Sequence, residues 1–227
     1  MKKKFKTIIL ISVIIIILGG IAFYFIREVY PKNVLEKEVE VMSHLDLTVD
    51  NVDMNIKSSG KYAAIEKSMK NYLNDYSTHL KKILAIMNDD EYVNVLSMDN
   101  YKKDGKEFKK TKEYLQKTKE EANTSFTKLI DMTSENAMME YIDTTLGEKY
   151  IHLYQNYMYD DSIKKGLEDS KTSLEESKKI LDNTLDVYEK VIDFLIKNKN
   201  EWKIESDSII FNTSDLLNKY NELIKKL

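Results

Sequence analysis

Residues 7–26, TIILISVIIIILGGIAFYFI, contain no charged side chain and are almost wholly apolar. Twenty residues rising about 1.5 Å each along a helix span about 30 Å, the hydrocarbon thickness of a bilayer. The run therefore predicts a transmembrane helix over 7–27. Phe23, Tyr24, Phe25 and Tyr30 stand at its far end, where amphipathic rings settle among headgroups. Gly19-Gly20 is a single adjacent pair rather than a GxxxG pattern, so it gives no argument for dimerisation through the span.

Flanking charge sets the orientation. Lys2, Lys3, Lys4 and Lys6 precede the run with no acid among them, whereas Arg27 is followed at once by Glu28. The positive-inside rule puts a basic tail, 1–6, in the cytoplasm and residues 28–227 outside the cell membrane. A cleaved secretory signal is the competing reading, with Gly20-Ile21-Ala22 as its small-x-small site. The apolar run continues through Ile26, longer than a signal core, and this favours a retained anchor.

The outer part has the composition of a folded domain. The chain carries 35 basic and 38 acidic residues, and five of the basic and none of the acidic ones lie in 1–27. Beyond the anchor, 30 bases face 38 acids, a net charge of −8. Such a surface excludes a nucleic-acid partner, which needs concentrated positive charge, and is repelled by an anionic membrane. With Gly 6 and Pro 1 the chain lacks the turn residues that a β-sandwich or barrel consumes. Cysteine is absent, so there are no disulfides, no thiolate metal site and no lipid-attachment cysteine.

Apolar spacing supplies the elements. Leu35, Met42, Leu45, Val49, Val52 and Ile56 recur at three- and four-residue steps and predict a helix from about 34 to 58. Tyr62, Ile65, Met69, Tyr72, Tyr76, Ile83 and Met87 predict a second. Phe108, Leu115, Ala122, Phe126, Leu129, Ala137 and Tyr141, with Thr111, Thr118 and Thr133 in the same stripe, predict a third over 106–144. A short tyrosine-rich helix is expected at 148–159, and a fourth long one runs from Ile163 to Leu195. Glu201–Glu205 alternates apolar and charged residues, Ser206-Asp207-Ser208 is turn material and Ile209–Phe211 is β-prone. This predicts a β-hairpin at 201–211, with Trp202 and Phe211 packed on helices because an isolated hairpin is marginal in water. A last helix follows the capping cluster Asn212–Asp215. The expected architecture is all-α: a transmembrane helix, then an elongated extracytoplasmic bundle of about four long helices with the small hairpin.

Catalytic signals are sparse. His44, His79 and His152 lie in different predicted segments, and none has a second ligand at metal spacing. Gly-x-Ser-x-Gly turns and phosphate-binding glycine loops do not occur. Asp99–Gly105 fails as a calcium loop, since Tyr101 and Lys103 stand where oxygen ligands belong. Asp46, Asp50 and Asp53 share a face of the predicted first helix and read best as solvated polar surface. Tyr150, Tyr154 and Tyr157 align on one helical face; core packing with hydroxyls reaching water is the favoured reading of such a stripe, and the three are the candidate partner-binding residues should the domain bind a partner. The sequence thus favours a non-enzymatic protein-binding or spacer module in an envelope-associated assembly, without cofactor or metal. A homo-oligomer is compatible with the bundle. A small-molecule-sensing module acting through a membrane partner is the alternative function, since the cytoplasmic tail is too short to signal alone.

Overall fold

The computed structural model describes residues 34–227, and the expected anchor at 7–27 lies outside them. Among the described residues no helix is long and apolar enough to cross a membrane. The described chain is predominantly helical and carries one two-stranded antiparallel sheet. It divides into two compact units. The first runs through Leu84 and takes in Ser125–Ser177; the second comprises Ala85–Thr124 and Lys178–Leu227.

The first unit opens with α1 (Val34–Ser43), which buries Leu35, Val39 and Met42. The predicted helix to 58 is corrected here: α1 ends at Ser43 and residues 44–59 are not helical. Short acidic side chains cause the break by offering the backbone other partners. The Asp46 carboxylate accepts from Thr48 N at 3.0 Å, Asp50 accepts from Asp46 N at 2.9 Å, and Asp53 accepts from Asn55 N at 3.0 Å. The expected apolar stripe dissolves accordingly: Val49 is 70% exposed while Leu47 and Val52 are buried. α2 (Gly60–Asn88) follows the predicted stripe, with Ile65, Met69, Tyr72, Tyr76, Leu80 and Ile83 buried. Ser77 Oγ donates to Leu47 O at 2.9 Å and ties the irregular segment to α2.

The predicted helix over 106–144 is also corrected. Its main part becomes α5 (Lys109–Met132), which passes into the first unit at Ser125. There the hydroxyls of Thr133 and Ser134 donate to Ile130 O and Asp131 O, satisfying the carbonyls left open at a helix end. Ser134 Oγ also accepts from Ala137 N and caps α6 (Glu135–Met139). A 3-10 turn at Thr144–Leu146 leads to α7 (Glu148–Met158), which matches the tyrosine-rich helix, and to α8 (Asp161–Lys197). Three helices among the described residues, α2, α5 and α8, are long, rather than the four expected.

The second unit holds α3 (Asp90–Asn94) and α4 (Met98–Asp104), two short helices. Asp104 then caps α5, its carboxylate accepting from Thr111 N at 2.8 Å and Lys110 N at 3.2 Å. After α8 come β1 (Trp202–Glu205) and β2 (Ser208–Phe211), paired Trp202 to Phe211. Ser206 and Asp207 carry φ of 44° and 60°, the two positive values a type I′ hairpin turn requires. Trp202 donates its indole N–H to Leu195 O at 2.9 Å, and its ring lies 6.1 Å from Phe108 and 6.3 Å from Tyr101. Phe211 meets Tyr220 at 5.3 Å on α9 (Ser214–Ile224), whose N-terminus Thr213 caps. The hairpin is therefore anchored by aromatic packing, as its marginal stability demands.

Candidate functional site

The three candidate tyrosines do not form a surface. Tyr154 is fully buried and its hydroxyl donates to Met138 O at 2.9 Å. Tyr157 is buried on the same face of α7. Burial holds both hydroxyls above the usual tyrosine range. The aligned face thus points into the first unit's core. Tyr150 alone is half-buried, edge-on to Tyr62 at 5.5 Å with Lys61 Nζ 5.0 Å above its ring.

The histidines are dispersed. His44 and His152 are exposed. His79 Nδ1 lies 3.5 Å from Ser125 Oγ, with Asp75 one turn back on α2. This constellation does not amount to a nucleophile: Ser125 is buried, and the Asp75 carboxylate accepts the Tyr141 hydroxyl at 2.8 Å. Burial and the nearby Lys82 push the His79 imidazole below its ordinary value.

Two polar and apolar features of the first unit were not foreseen. The first is a buried ion cluster. Lys70 Nζ donates to Glu66 at 2.7 Å, to Glu38 at 2.9 Å and to Asn55 O at 2.5 Å, so its three protons are all placed. The Glu66 carboxylate, wholly buried, accepts from Lys57 N at 3.0 Å and Ser58 N at 2.7 Å. Lys57 Nζ closes the ring on Glu38 at 2.9 Å. Burial pushes the Glu66 carboxyl up, but Lys70, Ser58 and the two backbone donors outweigh it and bring the group down to about 2. Two lysines thus serve the two buried carboxylates, and Lys57 Nζ also pairs with Asp53 at 3.3 Å on the outer side. Lys70 on α2 reaches Glu38 on α1 and Asn55 O in the segment 44–59, and Glu66 on α2 accepts from Lys57 and Ser58 of that segment, so the cluster acts as a clamp that holds both on α2.

The second feature is a cavity of about 80 Å³ within the first unit. α1 and the following segment supply Val39, Met42 and Leu47; α2 supplies Met69, Tyr72 and Tyr76; α6, α7 and α8 close it with Met138, Met158 and Ile163. Four methionines, one each from α1, α2, α6 and α7, give it a soft, adaptable lining. The stripe positions on α2 were legible in the sequence, but Val39, Met138 and Met158 carry no signal that separates a cavity wall from ordinary core. No family model, no curated protein and no solved structure matches this chain.

Proposed function

We propose that this chain is a single-pass membrane protein whose helical units lie outside the membrane and act, without chemistry of their own, as a protein-binding or spacer module in an envelope-associated assembly. The observation that carries the reading is the charge-free run 7–26, with Lys2, Lys3, Lys4 and Lys6 before it and Arg27-Glu28 after it. It is supported by the way the interior polar groups of the first unit are spent on structural bonds. A partner-contacting role falls to Tyr150 rather than to Tyr154 or Tyr157, since only its ring keeps surface.

The absence of cysteine makes the topology directly testable. Asn123→Cys, at an exposed position of α5, introduces one thiol into the full chain. A membrane-impermeant maleimide applied to intact cells should label it, and prior carbonate extraction should leave the protein in the membrane fraction. Labelling only after lysis would overturn the orientation, and release by carbonate would overturn the anchor. A second reading, ligand sensing passed on through a membrane partner, is supported by the first unit's cavity.

A further inference from the structure

We propose that the first unit's cavity is a binding site for a small apolar molecule carrying one hydrogen-bonding group, of the class of a short-chain alcohol, seated among Met42, Met69, Met138 and Met158 with the Tyr76 hydroxyl as its polar partner. The proposal deepens the ligand-sensing reading by giving it a site and a ligand class.

Size comes first. An apolar cavity of about 150 Å³ accepts benzene or xenon, so one of about 80 Å³ takes roughly three or four heavy atoms. The lining decides polarity. Apart from Ser43 and the two tyrosine hydroxyls, the wall side chains carry no hydrogen-bonding group. Ser43 Oγ already donates to Glu40 O at 2.6 Å, and Tyr72 donates to Met132 O at 2.8 Å. Tyr76 differs. It is 3% exposed and its hydroxyl has no hydrogen bond among the described residues, yet the oxygen is not sealed, Ser170 Oγ being the one buried side-chain polar atom there without a partner. A hydroxyl set in an otherwise apolar wall ordinarily takes a protein or water partner. A resident water would want about three polar partners. A molecule with one polar atom and an apolar body satisfies Tyr76 and fills the remaining space. Burial holds the phenol well above its usual value, so it remains an intact donor at any physiological pH. The methionines complete the case, since unbranched thioether chains can follow the outline of more than one small guest.

The site carries its own reporters. The full chain, labelled with ¹³C-methyl methionine and held in lipid nanodiscs, is titrated with 1-propanol and, separately, pressurised with xenon. A ligand of four heavy atoms binds no tighter than about 10–100 µM, so the titration runs to tens of millimolar. The methyl signals of Met42, Met69, Met138 and Met158 should move saturably, while those of Met54 and Met98 stay still. Tyr76→Phe keeps the ring and should weaken 1-propanol binding about fivefold, the worth of one hydrogen bond, and leave the xenon response unchanged. Val39→Ile, which adds one methylene to the wall, should weaken both.

A response to xenon without one to 1-propanol would overturn the ligand class and leave a plain void. Unsaturable shifts spread over all methionines would overturn the site, as would a Tyr76→Phe protein that binds 1-propanol like the parent. Saturable binding that leaves the proteins crosslinked to the chain unchanged keeps the site and removes the sensing reading.

Discussion

Replacing Glu66 by glutamine tests the buried clamp at its centre. The carboxyl sits near 4.5 in an unfolded chain and at about 2 in the folded one. A difference of roughly two and a half pH units at 1.36 kcal/mol each makes ionised Glu66 worth about 3 kcal/mol to the folded state. The sign is that of a depressed carboxyl: between the two values the unfolded chain binds the extra proton. The contribution is therefore complete above about pH 4.5 and is lost as the pH falls toward 2. By pH 3 about 2 of the 3 kcal/mol are gone. Glu66→Gln keeps the shape and removes the charge, so it should cost about 3 kcal/mol at pH 7 and about 1 kcal/mol at pH 3. Urea unfolding of the full chain in detergent, followed by far-UV circular dichroism at both pH values, measures the difference. Hydrogen exchange localises it, because the amides of Lys57 and Ser58 donate to this carboxylate. Their exchange should quicken about a hundredfold at pH 7, the equivalent of that free energy. An equal penalty at both pH values would refute the electrostatic reasoning, and slow exchange at Lys57 and Ser58 in the variant would refute the clamp.

Other positions give sharper, smaller effects. Tyr154→Phe removes the bond to buried Met138 O and should cost about 1–2 kcal/mol by chemical denaturation. Ser170 is buried with its hydroxyl unpartnered, so Ser170→Ala should be neutral or raise stability by up to about 1 kcal/mol in the same assay. Thr213→Ala deletes the α9 cap and should lower stability by about 1 kcal/mol, with Thr213→Ser restoring most of it. Tyr150→Ala should leave the thermal midpoint within about 2 °C while weakening capture of the crosslinked partner, if partner contact falls there.

Spacing alone made α2, α7, α8 and the hairpin legible, because each combines a sustained period with clear ends. The turn material Ser206-Asp207-Ser208 and the capping cluster Asn212–Asp215 were readable from residue type, though not that Ser206-Asp207 makes the turn and Thr213 the cap. The misreadings share one cause. Leu45, Val49, Val52 and Ile56 keep a helical period, yet Asp46, Asp50 and Asp53 turn the backbone by their own hydrogen bonds. Likewise Thr133 lay on the apolar stripe of the third predicted helix, and its hydroxyl, with that of Ser134, ends the helix instead. Periodicity counts apolar residues and is blind to polar ones that bind the chain locally. The clamp and the cavity were hidden for a different reason. Glu38, Asn55, Glu66 and Lys70 come together from α1, the irregular segment and α2, and Met42, Met69, Met138 and Met158 from four helices. Apart from the i,i+4 pair Glu66–Lys70 on α2, neither set has a fixed spacing to read.

Phe108 adopts φ of 46°, a left-handed backbone that costs a bulky residue about 1–2 kcal/mol, and its ring is wholly buried. What compensates is a ring contact with Tyr101 nearby and another with Trp202, far down the chain. The corner between α4 and α5, capped locally by Asp104, is therefore also held from far down the chain. On the ribosome, α4 and the start of α5 emerge well before the hairpin, so the ring contact between Phe108 and Trp202 can form only after the hairpin has been made. Closing so long a loop is slow relative to forming helices. The second unit should thus reach its final state late, governed by arrival of its C-terminal hairpin rather than by the helices that make up most of its length.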